Sequence, residues 1–293
     1  MPNIALDPEE AYEKPMTDEA TRKVRQVWED QADAWYTQRE SLLTATRPVH
    51  DWLVDHVDPK PGDRVLEIAA GPGDTGFLAA ARLTTGELVS TDIAPSMVRV
   101  ARQRGAELGI VNATYQVADA QAMEFADESF DGIICRWGFM LMPDPAAALR
   151  ECRRVLKPGG RLALAVFTGP EENGWASIPV RVLRDAGHLA QPGAEWQPGI
   201  LALADRTRLE KLIEGAGFAE ATIERVNMSW TFANTGEYWT FLLEVTALGP
   251  ALRALSGTER DDVRAAIDAR LATFIHKDAL VLPAQCWGAL TIR

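Results

Sequence analysis

The sequence predicts an α/β protein: a doubly wound sheet, mostly parallel with an antiparallel last strand, plus N-terminal helices and a helical lid. Three observations predict it. From Arg64 onward, short apolar strands alternate with helical stretches of roughly 10 to 15 residues, the pattern of parallel strands joined by crossover helices. A glycine-rich turn, Gly71-Pro72-Gly73-Asp74-Thr75-Gly76, lies between the first strand and the first helix of that series. Two aromatic-rich segments interrupt the last strands, not the first.

The elements follow in order. Residues 1–16, with Pro2, Pro8 and Pro15 among acids, read as a flexible arm. Residues 17–58 read as two helices. Thr17-Asp18-Glu19 is a capping signal for the first, which puts Val24, Val27, Trp28, Gln31 and Trp35 on one side. The second, from about Ser41 to Val57, contains Pro48, a point of kinking or division.

Residues 59–168 read as the core. Strands are expected at Arg64–Ile68, Glu87–Asp92, Ala113–Val117, Phe130–Trp137 and Arg161–Phe167. Helices begin at Asp74, at Pro95 (a proline suited to a first turn) and at Pro145. Residues 169–204 lose this rhythm and read as a Gly- and Pro-rich insertion. Residues 205–232 return to it with a helix, Arg206–Ala216, and a long strand, Ala221–Phe232. Residues 233–277 read as a second, helical insertion, and residues 278–293 hold the last strand.

Composition narrows the function. The 293 residues are 47% hydrophobic and 25% charged, an ordinary globular balance. No apolar run reaches the roughly 18 residues of a membrane span, and Met1–Glu13 has no basic or apolar leader, so a cytoplasmic protein is expected. Cys135, Cys152 and Cys286 are too few and too scattered for a disulfide framework or a metal cluster. A net charge of −12 with no basic stripe disfavours nucleic acid as a partner.

The glycine loop alone fits several nucleotide cofactors. A pyrophosphate at a helix N-terminus wants positive potential, yet Val65 to Ala81 contains no Lys or Arg and does contain Glu67 and Asp74. Acidic walls suit the cationic sulfonium and ammonium of S-adenosylmethionine better. Asp92, closing the second strand, is placed to accept from ribose hydroxyls. Asp119, after the third, is placed to accept from an adenine amino group.

With these motifs in order, the chain resembles the class I S-adenosylmethionine-dependent methyltransferases, the branch with the ubiquinone and menaquinone biosynthesis enzymes. The matching text is Val65–Gly73, Thr91–Met97, Ala118–Met123, Ser129–Ile134 and Leu149–Gly160, within residues 60 to 168. The resemblance implies a Rossmann-like fold, S-adenosylmethionine as cofactor and a small-molecule acceptor. It implies that Gly71 and Gly73 let the backbone approach the methionine portion and that Glu67 supports the loop and the ammonium. Asp92 is then the ribose ligand. Ile93 and Met97 cover the adenine faces, and Asp119, Ala120 and Gln121 read its edge. Arg136 lends its backbone carbonyl to the ammonium, and Tyr36 closes over the cofactor. Ala69 stands where the family carries its first motif glycine, a departure that leaves two glycines for the close approach.

Methyl transfer leaves most of the chemistry to the cofactor, so a catalytic residue need not be advertised. None is; among the four histidines, His50 and His188 are the two best placed to act as a base. Trp137 and Met140, after the fourth strand, and Trp175, in the first insertion, are expected to wall an acceptor pocket. Tyr238, Phe241, Leu242 and Val245 recur at helical spacing and read as lid core or a homodimer surface. The leading expectation is O- or C-methylation of an aromatic, quinone-like or terpenoid metabolite. N-methylation of an amine, a cofactor-binding module without turnover, and a nicotinamide-dependent oxidoreductase stand behind it.

Overall fold

A computed structural model describes residues 19–191, 197–277 and 279–293. The expected arm, the Thr17-Asp18 cap and Trp196 of the first insertion lie outside the described residues. In chain order the elements are α1 (Glu19–Thr37), α2 (Arg39–Val57), β1 (Arg64–Glu67), α3 (Asp74–Ala80), β2 (Glu87–Asp92), α4 (Pro95–Glu107) and β3 (Ala113–Val117). β4 (Phe130–Arg136), α5 (Pro145–Val155), β5 (Leu156–Phe167), α6 (Gly174–Asp185), α7 (Arg206–Gly215) and β6 (Thr222–Phe232) follow. The chain closes with α8 (Thr235–Glu244), α9 (Gly249–Ala254), α10 (Gly257–Leu271), β7 (Ile275–His276) and β8 (Ala279–Ile292).

The strands lie in the order β3-β2-β1-β4-β5-β8-β6, with the short β7 paired to β8. β1 to β5 are parallel, and β8 runs antiparallel to both β5 and β6. The expected fold, including its antiparallel last strand, is the one observed. Apolar residues fill the central strands because helices cover both faces; Val65, Leu66, Ile133 and Leu162 are fully buried. The strand order reverses between β1 and β4, so the loops leaving their carboxyl ends diverge and open a crevice there.

Three details depart from expectation. Pro48 does not divide α2, which runs unbroken through it. β5 starts at Leu156 rather than Arg161, the extra turn being taken up by a register shift against β4 between Phe130 and Gly132. The first insertion contains a helix, α6, with Pro179 in its interior. Pro179 has no N–H to bond the Trp175 carbonyl one turn back, and the Tyr238 hydroxyl of α8 donates to that carbonyl instead. The two insertions are therefore stitched to each other. The second insertion contains α8, α9 and α10, and Ser256 starts α10 with a reciprocal capping box to Glu259.

Candidate functional site

The crevice is one continuous cleft of about 1220 Å³, its open mouth included. β1 and β4 build its floor. Ile68 N–H donates to the Ile134 carbonyl at 3.0 Å, which sets the ends of the two strands side by side. Immediately beyond, Ala69 and Gly71 adopt left-handed backbone, φ +52° and +55°. Ala69 holds there because its neighbour is Gly138: a Cβ on Gly138 would lie 2.7 Å from the Ala69 methyl. At Gly71 a Cβ would meet no protein atom within 4 Å, since that side of the loop is the cleft itself.

Asp92 organises this turn. Its carboxylate accepts from Gly71 N at 2.9 Å and from Ala94 N at 3.0 Å, tying the end of β2 to the glycine loop. Burial raises its pKa to about 6 against the pull of those N–H groups. Glu67 is set one layer deeper and does not line the cleft. It accepts from Gly76 N at 2.8 Å and from the Ser90 hydroxyl at 3.3 Å, and burial raises its pKa to about 8. It braces the loop from behind.

A protonated Glu67 gives a test. Its folded pKa, about 8, lies above the ordinary 4.5. The folded chain therefore holds the proton more tightly than the unfolded chain. The stability this contributes is full below about 4.5 and is lost as pH rises through about 8. Glu67→Gln keeps an oxygen for Gly76 N–H and turns an amide N–H to Ser90. Its melting temperature is expected to fall less than the wild type's between about pH 5 and about pH 9. Parallel curves would show Glu67 ionised in the fold.

The cleft has two halves. One is lined by Gly71, Asp92, Ile93, Met97, Ala118 and the Asp119-Ala120-Gln121 turn, in which Asp119 accepts from Gln121 N at 2.9 Å. α1 covers this half with Val24, Trp28 and Trp35, the two indoles meeting edge to face at 5.9 Å. Glu29 fastens α1 down by accepting from Ser96 N, at 3.1 Å, in the first turn of α4. Trp35 Nε1 donates to the Val245 carbonyl at 3.2 Å, so α1 also reaches α8.

The other half is aromatic. Trp137 stacks on Phe167 at 4.5 Å between centroids, Phe167 meets Trp175 at 5.1 Å, and Trp175 meets Trp230 at 5.2 Å. Met140 and Phe241 complete the wall. Trp137 carries φ +59°, a strained conformation for a bulky residue, and its indole N–H donates to Cys286 Sγ at 3.1 Å.

Of the residues expected here, Ala69, Gly71, Asp92, Ile93, Met97, Asp119, Ala120, Gln121, Arg136, Trp137, Met140 and Trp175 line the cleft. The others need correction. Tyr36 does not line it; one helical step from Trp35 turns the ring about 100° away, and its hydroxyl donates to Glu107 on α4. Gly73 lies behind the loop, with the Phe77 ring 2.7 Å from where its Cβ would be. His50 is buried, with Nε2 on Thr46 and Nδ1 on Thr75, both at 2.8 Å. Burial, then the charges of Arg136 and Arg47, push its pKa well below the usual range, so it is a poor base. His188 lies past α6 near Glu259, off the cleft. Trp28, Trp35, Leu42 and Phe167 line it without having been singled out for that role, and Trp230, one of the aromatics near the last strands with a pocket-wall reading, lines it too. Phe241 and Val245 also line it, while Tyr238 and Leu242 of the same helix face the core.

A methyltransferase-domain family model matches residues 65–160. The ubiquinone/menaquinone biosynthesis C-methyltransferase UbiE of Teredinibacter turnerae is 36% identical over 171 residues, covering 55% of this chain and 69% of the relative. The chain is a class I S-adenosylmethionine-dependent methyltransferase related to UbiE. The Shewanella oneidensis enzyme of that name is 33% identical, over 58% of this methyltransferase and 71% of the relative. The fold recurs in the YcgJ protein of Bacillus subtilis, with TM-score 0.56 and 20% identity over 83% of this chain and 97% of that one. It recurs again in phosphoethanolamine N-methyltransferase 2 of Haemonchus contortus, with TM-score 0.53 and 19% identity over 92% and 60%. The methyltransferase uses S-adenosylmethionine, and the loop fits that group: open space faces Gly71, with an anchored carboxylate, Asp92, beside it. No helix of the described residues is long and apolar enough to cross a membrane.

Proposed function

We propose that this methyltransferase methylates carbon or oxygen of a small ring-bearing apolar metabolite, with a quinone-like aromatic as the first choice. The observation that carries this reading is the run of Trp137, Phe167, Trp175 and Trp230 along the cleft. Flat apolar surfaces of this kind favour a ring stacked among them. Trp230 adds one polar feature, a buried indole N–H with no partner among the described residues, which suits an acceptor oxygen. The relatives act in ubiquinone and menaquinone biosynthesis as C-methyltransferases, which agrees in acceptor class. An amine acceptor is less well served: among the described residues, the carboxylates lining the cleft, Asp92 and Asp119, are in the other half.

In this reading the cofactor half is Gly71, Asp92, Ile93, Met97 and the Asp119–Gln121 turn, with α1 as its cover. Asp92 holds the ribose, and the Arg136 backbone carbonyl takes the ammonium. When bound, S-adenosylmethionine supplies an activated methyl group on a good leaving group. The chain's part is to orient the acceptor and keep water out. Trp175 on α6, Phe241 on α8 and Val245 just past the end of α8 close the acceptor half, so the insertions 169–204 and 233–277 act as its lid.

The test uses methyl-labelled cofactor and a panel of hydroxynaphthalenes, reduced naphthoquinones and small amines. Label is expected in the ring compounds. Trp175→Ala is expected to cut their turnover about 10-fold or more while leaving cofactor affinity within about 2-fold, the loss of one large stacking surface. Label only in amines overturns the acceptor class, and equal losses of turnover and cofactor affinity overturn the acceptor role of Trp175.

A further inference from the structure

Among the described residues, four arginines have a buried Nε with no hydrogen-bond partner: Arg39, Arg104, Arg136 and Arg260. Three are satisfied elsewhere on the guanidinium. Arg39 donates to the Tyr36 carbonyl, Arg104 pairs with Glu107, and Arg260 donates to the Arg253 and Leu255 carbonyls. Arg136 is the exception: among the described residues its side chain makes neither a hydrogen bond nor an ion pair. Its contacts are rings, Trp137 at 4.4 Å and Trp35 at 5.8 Å from Cζ to centroid. An interior cation without an anionic or carbonyl partner is costly, and proteins rarely leave one so.

Its place gives the omission a purpose. Arg136 ends β4, lines the cleft, and stands where the half built on Ala69 and Gly71 meets the half built on Trp137 and Met140. Asp74 and then Glu67 exert the strongest acidic influence on it, and neither forms an ion pair with it among the described residues. Glu67, with its pKa of about 8, is uncharged near neutrality. The wall therefore presents a cation, flanked by two indoles, that lacks a counterion. A guanidinium suits two-point binding of a carboxylate or a single strong contact to a phenolate.

We propose that the Arg136 side chain is the anion site of the cleft and pairs with an ionised oxygen of a bound small molecule. Two sources offer that oxygen at this junction: the amino-acid carboxylate of the cofactor, and an acidic ring hydroxyl of the acceptor. Only the second rests on the acceptor class proposed above. In that case Arg136 would hold the acceptor as its oxyanion, consistent with the lack of a histidine base along the cleft.

The experiment titrates the full chain and its Arg136→Met and Arg136→Lys variants by calorimetry with S-adenosylhomocysteine and with its decarboxylated analogue. A parallel titration with 4-nitrophenol follows the phenolate absorbance band of the bound probe. If the cofactor supplies the oxygen, Arg136→Met loses about 10- to 100-fold in affinity for S-adenosylhomocysteine, the worth of a charged hydrogen bond. The decarboxylated analogue then binds wild type and variant alike. If the acceptor supplies it, S-adenosylhomocysteine binding is unchanged and the variant loses the bound phenolate band. Arg136→Lys, which keeps the charge, is expected to fall between wild type and Arg136→Met, and it decides the matter if Arg136→Met does not fold. Equal losses for S-adenosylhomocysteine and its decarboxylated analogue, or no change in any titration, overturn the proposal. Failure of the wild type to bind 4-nitrophenol counts against the acceptor class alone, because the S-adenosylhomocysteine arm still decides the anion site.

Discussion

Gly71→Val is expected to abolish cofactor binding in a protein that still folds. The backbone at Gly71 has φ +55°, where a β-branched side chain costs on the order of 1–2 kcal/mol. That strain is local, and no protein atom lies within 4 Å of the new Cβ. The isopropyl group enters the cleft where the cofactor is proposed to approach the loop. Any shift that relieves the strain also loosens the bond from Gly71 N to Asp92, 2.9 Å long. Calorimetry with S-adenosylhomocysteine should give no measurable heat, while the variant melts cooperatively within a few degrees of wild type. Normal affinity in the folded variant would show that the loop is only a structural turn.

Asp92→Ala is expected to have the second largest effect, through two losses at once. The carboxylate holds Gly71 N and Ala94 N, so its removal frees the glycine loop from β2. It also removes the group proposed to accept from the ribose. Charged hydrogen bonds are worth about 1.5–3 kcal/mol each, so an affinity loss of about 100-fold or more is expected. The pH dependence has a definite sign. Asp92 titrates near 6, above the ordinary 3.8, so its ionisation opposes folding, and that part of stability is lost as pH rises through about 6. Binding runs the other way, because the ionised carboxylate is the better acceptor. Wild-type affinity for S-adenosylhomocysteine should therefore fall below about pH 6, while that of Asp92→Asn should stay flat. Unchanged affinity in folded Asp92→Ala, or the same pH profile in wild type and Asp92→Asn, would remove Asp92 from the site.

Most of the half of the cleft proposed to hold the cofactor is legible in the sequence, because its residues sit at the ends of consecutive strands. Gly71, Asp92 and Asp119 follow β1, β2 and β3, and a parallel sheet brings such ends to one edge. Ala69 was visible as a departure from the family pattern, but its tolerance was not. That depends on Gly138, 69 positions later in the chain, leaving room for the methyl group. Tyr36 and Trp35 are adjacent in sequence, and only the phase of α1 against α4 and α8 chose between them.

The chain alone determined the order of strands and helices, the cofactor class and the acidic character around the loop. Those are matters of local pattern and of motif order. Tertiary structure decided which aromatics face the cleft, since Trp137, Trp175, Trp230 and Phe241 come from four different elements and meet only when the last strands pair. It also decided the condition of the ionisable groups. His50 is neutral, Glu67 holds its proton and Arg136 finds no counterion among the described residues because of what surrounds each of them, and those surroundings come from distant parts of the chain.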